Sequence, residues 1–94
     1  MRIVWLPEAG QDLVGIRHYI SETHPAAAAQ VARRILDTVA CLRDHPEIGR
    51  AGRVPGTREL VIPGLPYIVP YRVKGTAVEI LGILHAAQEW PKQL

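Results

Sequence analysis

The sequence predicts an α+β domain of order β-α-α-β-β-β, a helical hairpin packed on a twisted antiparallel sheet. The C-terminal half supplies the first reason. Residues 58–62, 66–73 and 77–85 are runs rich in β-branched and aliphatic side chains, separated only by Pro63-Gly64-Leu65 and Lys74-Gly75-Thr76. Runs joined by links this short read as an antiparallel meander, the second link being a tight hairpin. The second reason is that two stretches with helical periodicity stand together ahead of these runs. Helices grouped before an antiparallel sheet imply two layers, with the hairpin on one sheet face and the other face left for a partner or substrate.

Size and composition fit that class. The 94 residues make one domain, 1–94, with 48% hydrophobic and 21% charged residues, which argues for a packed globule and against disorder. There is no Phe, so the core falls to Leu, Ile, Val and Ala, with Trp5 and Trp90 as large plugs. A net charge of +2 is mildly basic, compatible with a nucleic-acid or acidic-protein partner without requiring one. The lone Cys41 excludes an intrachain disulfide framework and is read as a small buried hydrophobe on a helix. No signal-peptide pattern opens the chain, and no apolar run approaches the ~20 residues of a membrane span. The expected location is the cytoplasm, with no membrane partner.

Taken in order, residues 2–6 form a short first strand, apolar on both faces. Pro7 suits the first turn of a helix, where its missing N–H is no loss, and Glu8 and Asp12 favour the positive end of the helix dipole. Ala9, Leu13, Ile16 and Ile20 then recur at helical spacing, so the first helix spans 7–22. Gly10 and Gly15 weaken it, leaving packing rather than propensity to hold it. Pro25 starts the second helix, 26–43, whose seam is Ala28, Val31, Ile35, Val39 and Leu42. Pro46 ends it.

Residues 45–57, HPEIGRAGRVPGT, hold three glycines and two prolines and read as an irregular loop with Arg50 and Arg53 at a basic tip. In the next-to-last strand, Tyr67, Val69, Tyr71 and Val73 share one face and Ile68, Pro70 and Arg72 the other. Pro70 has no N–H to give a ladder, so the strand either bulges there or turns that position away from a neighbour. The run 77–85 is the most continuously aliphatic and is expected to be a central strand.

No metal motif is present: the four histidines are scattered, and no HExxH, P-loop, GxSxG or GxGxxG occurs. No cofactor is called for. What remains is an Arg/Glu/His set: Glu47 in the loop, Arg58 and Glu59 on opposite faces of one strand, Arg72 on the next and His85 at the end of the last. Adjacent strands bring side chains on one face together. RNA cleavage by 2′-OH attack needs a base, an acid and a cation at the phosphate, roles open to Glu, His and Arg. Each residue also has a plain structural reading: Arg58 and Glu59 as cross-strand partners, Arg72 on a solvated face, His85 as a hydrogen-bonded strand terminus, Glu47 as a turn residue and Trp90 as a core cap.

Several segments in order resemble one family. They are Val4-Trp5 with Ala9 and Asp12-Leu13, Pro25-Ala26-Ala27 heading the second helix, Leu42-Arg43-Asp44-His45-Pro46 with Gly49-Arg50, Gly56-Thr57-Arg58-Glu59-Leu60, Pro66-Tyr67-Ile68-Val69 with Tyr71-Arg72, and the run from Ile80 to His85. Together they resemble the RelE/ParE superfamily, toxins of bacterial type II toxin–antitoxin systems. The resemblance implies a small α+β toxin silenced by a cognate antitoxin, which would seat an amphipathic helix or a strand on the helical seam or the sheet edges. It also implies one of two activities: RelE-like cutting of mRNA on the ribosome without a metal, or ParE-like poisoning of DNA gyrase. On the ribonuclease reading Glu47 and His85 fall at acid/base positions, and Arg58 or Arg72 replaces an Arg expected where this chain has Tyr67-Ile68. On the gyrase reading the target-binding candidates are Arg50, Arg53 and Trp90. The Pro-Ala-Ala helix start and the Gly49-Arg50 segment resemble the ParE branch, and the mild charge fits poorly with the strongly basic surface of a ribosome binder.

Overall fold

A computed structural model describes residues 1–87 of the chain. Its elements are β1 (Arg2–Trp5), α1 (Pro7–Ser21), α2 (Pro25–Ala40), a 3-10 turn (Cys41–Arg43), β2 (Arg50–Ala51), β3 (Arg58–Val61), β4 (Tyr67–Lys74), β5 (Ala77–Ile80) and β6 (Leu84–His85). Two helices pack on a six-stranded sheet in the spatial order β1-β5-β4-β3-β2, with β6 also on β4. The α+β class and the helical hairpin are as the sequence predicts.

The sheet is antiparallel from β2 through β5, but β1 runs parallel to β5, with Arg2 opposite Ala77 and Trp5 opposite Ile80. It is therefore mixed. Hairpin links force antiparallel neighbours, and those links are local; β1 and β5 are joined through the whole intervening chain, which leaves the direction of pairing open.

Pro7 and Pro25 occupy the first turns of α1 and α2. Ala9 is fully buried on α1, and Ala28, Ala32, Ile35 and Val39 are buried along α2. Ala9, Ile35 and Val39 meet Leu60, Val69, Tyr71, Val78 and Ile80 from the sheet, with Trp5, Leu13 and Ile16 packed at the margin. Burying one Ile or Leu is worth about 1.5–3 kcal/mol. Several such residues outweigh Gly10 and Gly15, which each weaken α1 by about 1 kcal/mol. The seam of α2 is thus taken up by the sheet. The open apolar helical surface lies instead on the outer side of α1, a shallow groove lined by Pro7, Gly10, Gln11, Val14, Gly15 and His18. Cys41, expected to be buried, is exposed, its thiol 3.6 Å from the carbonyl of Asp37. It stands at the C-cap of α2, off the stripe that Ile35, Val39 and Leu42 turn to the sheet.

The predicted last strand, 77–85, is two strands. Leu81 N–H donates to the carbonyl of Pro70 at 2.9 Å, so the edge on which Pro70 lacks an N–H faces β5. The partner strand leaves the ladder at Leu81-Gly82-Ile83 and rejoins β4 only where Leu84 meets Ile68. Asp12 of α1 fills the gap: its Oδ2 accepts Ile83 N–H at 3.0 Å. A side chain on Gly82 would bring its Cβ within 3.2 Å of that oxygen. In the hairpin before β5, Gly75 takes φ 61°, the left-handed geometry of a two-residue turn.

Candidate functional site

The long loop before β3 is organised by two side chains from the sheet. Tyr71 is fully buried on the face of β4 that it shares with Val69, which packs with Ile35 and Val39 of α2. A buried phenol needs partners. Its hydroxyl donates to the carbonyl of Pro46 at 2.7 Å and accepts Gly49 N–H at 2.8 Å. Gly49 must be glycine, since a Cβ there would lie 2.6 Å from the ring and hydroxyl of Tyr71. Burial pushes the Tyr71 hydroxyl above its ordinary pKa of 10.0, against the opposing pull of Gly49 N–H and the Arg58 charge, with the Glu47 charge adding to the rise.

Arg58 pairs with Tyr71 across β3 and β4, so the two side chains share a face. Its guanidinium Nη1 donates to the carbonyls of Glu47 at 3.0 Å and Gly49 at 2.8 Å. Glu47 itself is exposed. Arg58 therefore meets Glu47 through the backbone, as a clamp on the loop.

The other sheet face carries Glu59, which is only 2% exposed. Arg50 Nη2 lies 3.2 Å from its Oε1, while Arg53 supplies Nε at 3.5 Å and its backbone N–H at 3.0 Å to Oε2. Arg50 belongs to β2, a short strand inside the stretch whose glycines and prolines predict only loop; its pairing with Glu59 sets the register of that strand. Arg50 and Arg53 thus fold over a buried carboxylate while remaining 55% and 37% exposed along their side chains. A buried charge is tolerated only when so matched. Trp90 lies outside the described residues.

Arg72 and Glu79 face each other across β4 and β5 on that same outer face, Nε to Oε1 at 2.6 Å. The hydrogen bond from Arg72 holds the Glu79 carboxyl below the usual range, helped by the charges of Arg72, Lys74 and Arg2. His85 is exposed on β6, its ring edge-on to Tyr67 with centroids 6.0 Å apart, and its Nδ1 accepts Ala87 N–H at 3.3 Å.

The ribonuclease set is therefore spread out. Arg58 pairs with Tyr71 and His85 with Tyr67, on opposite edges of β4 and about 13 Å apart along it. Arg72 sits on the reverse face. Glu47 and Arg58 are brought together; Arg72 and His85 are not brought to them. Among the described residues no group of three His, Cys, Asp or Glu side chains is placed to hold a metal ion. No helix among them is long and apolar enough to cross a membrane.

Residues 3–90 match the sequence model of a family described as the ParE toxin of type II toxin–antitoxin system, parDE. The chain belongs to the ParE toxin family. It is 46% identical over 93 residues to the Sinorhizobium fredii protein named "Putative toxin Y4kP", covering 99% of this chain and 96% of that one. It is 36% identical over 87 residues to "Toxin RelE2" of Caulobacter vibrioides, covering 93% and 97% of the two chains. In three dimensions it superposes on a chain of a chromosomal ParDE toxin–antitoxin system from P. aeruginosa with a TM-score of 0.82 and 33% identity, over 90% of this chain and 95% of that one. The ParE family thus accounts for the whole architecture. Within it, the sequence reading had not singled out Gly49, Tyr71 and Glu59 as organisers of the loop. The signal for Tyr71 was there: a tyrosine on the core-facing parity of a strand must send its hydroxyl to something.

Proposed function

We propose that this ParE-family toxin acts by binding, poisoning DNA gyrase, and is held inactive in the cytoplasm by a cognate antitoxin. The observation that carries the reading is the state of Arg58. Both loop carbonyls that its Nη1 reaches are structural partners, so the cation best placed beside Glu47 serves the backbone rather than a phosphate. The separation of His85 and Arg72 from that point supports it further. An antitoxin helix has a matching seat in the groove on α1, where Val14 is 69% exposed.

Expressing the chain without antitoxin, while scoring DNA breakage and translation-dependent mRNA cutting in parallel, tests the proposal. Gyrase-dependent DNA breaks are expected. Cut mRNA with intact DNA would place the chain on the ribonuclease side of the superfamily, and growth without any defect would make it a non-toxic antitoxin-binding module.

A further inference from the structure

We infer that residues 46–49 form a preorganised contact element, with Ile48 as its apolar anchor, that inserts into an apolar pocket on the toxin's protein target. This inference rests on the reading that the toxin acts by binding.

Ile48 is 51% exposed in a stretch without helix or strand. A single exposed aliphatic residue on a surface is ordinary. What sets this one apart is how firmly its backbone is held. Pro46 carbonyl and Gly49 N–H are both bound to the buried Tyr71 hydroxyl, and the carbonyls of Glu47 and Gly49 are both bound to Arg58. Ile48 N–H adds a longer bond of 3.4 Å to the carbonyl of His45. A phenylalanine at position 71 would fill the core equally well, and an exposed arginine at position 58 is not needed to close the sheet. Both polar groups have the loop as their partner. They fix the backbone on either side of a side chain that projects into solvent.

Holding a loop in its bound shape before binding removes the ordering entropy that association would otherwise oppose. Hot-spot side chains are those that fill a pocket on the partner from such a rigid base. The anchor is aliphatic, so its burial is favoured only by an apolar pocket, which a folded protein surface offers and a charged phosphate backbone does not. In this arrangement Tyr71 and Arg58 are positioning residues and Ile48 is the contact.

The test compares the full chain with Ile48→Asp, Ile48→Thr and Arg58→Lys, each expressed without antitoxin. Because Ile48 is exposed, Ile48→Asp and Ile48→Thr should keep the wild-type unfolding midpoint. Gyrase-dependent DNA breakage should fall about thirtyfold in Ile48→Asp, the loss expected of one hot-spot side chain. Ile48→Thr keeps the branched shape and the fold without a charge, and should fall by several-fold. Arg58→Lys should lower breakage together with hydrogen-exchange protection of Gly49 N–H, a joint change that a purely structural role elsewhere would not produce. Undiminished breakage in folded Ile48→Asp and Ile48→Thr would overturn the inference while leaving the gyrase reading in place. Absence of breaks from the wild-type chain would sink the gyrase reading instead. Growth arrest then decides the loop: arrest with intact mRNA that is lost in both Ile48 variants supports it, and arrest retained, or mRNA cut by the wild-type chain, overturns it.

Discussion

Asp12 and Ile83 stand 71 positions apart in the sequence, and the carboxylate of one accepts the backbone N–H of the other at 3.0 Å. That bond couples the first helix to the interruption between β5 and β6. Pro70 has no N–H to offer there, the partner strand departs, and a side chain from the opposite layer satisfies the freed donor.

Replacing Asp12 by alanine should therefore leave a donor orphaned at a residue that is only 5% exposed. The expected loss is about 1–3 kcal/mol. Urea denaturation measures it, and Asp12→Asn, which keeps an acceptor oxygen, should recover most of the difference.

Glu59→Gln should strip the counter-charge from Arg50 and Arg53 at once. Both arginines retain water access, so the expected destabilisation is about 2 kcal/mol, below that of a wholly buried pair. Hydrogen exchange should show the Arg53 N–H losing protection before the N–H groups of β4 do. Unchanged protection would mean the loop is held by other contacts.

Tyr71→Phe should lower stability by about 1–3 kcal/mol, because the Gly49 N–H loses its partner. It should also change the alkaline limb of the stability curve. In the unfolded chain the phenol titrates near 10.0, and burial raises that value in the fold. The folded state therefore holds the proton more tightly. The stability this contributes is complete below pH 10.0 and is lost as the pH climbs through the raised value. Denaturation series on either side of that pH should show wild type losing stability that Tyr71→Phe does not.

His85→Ala should match the wild-type chain in a growth assay without antitoxin, since its ring contacts Tyr67 and the backbone of Ala87 and lies away from Arg58. A modest stability change, about 0.5–1.5 kcal/mol from the lost aromatic contact, is expected in denaturation. Arrest abolished in a folded His85→Ala chain would favour the ribonuclease reading.

Much of the fold was legible because its signals are local. Short Gly/Pro links specify hairpins, and alternation along β4 puts Val69 and Tyr71 together on the face that joins the helical core, a cluster without Ile68, Pro70 and Arg72. The unread parts are non-local. Composition marks residues 2–6 as a strand without giving its direction. Proline at position 70 announces a missing donor, but which neighbour feels it depends on hydrogen-bond phase. The loop site was half legible: the candidates Glu47, Arg50, Arg53 and Arg58 all cluster there. Their roles depend on Glu59 being buried beneath two of them and Tyr71 beneath the rest, which emerges only once the loop closes on the sheet.

The parallel pairing of β1 with β5 also sets a schedule. The ribosome makes Arg2–Trp5 long before its strand partner, Ala77–Ile80. Closing so long a span opposes early pairing, because contacts distant along the chain form only after the entropy of loop closure is overcome. A nascent or truncated chain ending before Ala77 has helices but no mate for its first strand. A broken message that stops short of Ala77 therefore yields a fragment that cannot complete this sheet, and the pairing arises only once Ile80 has been made.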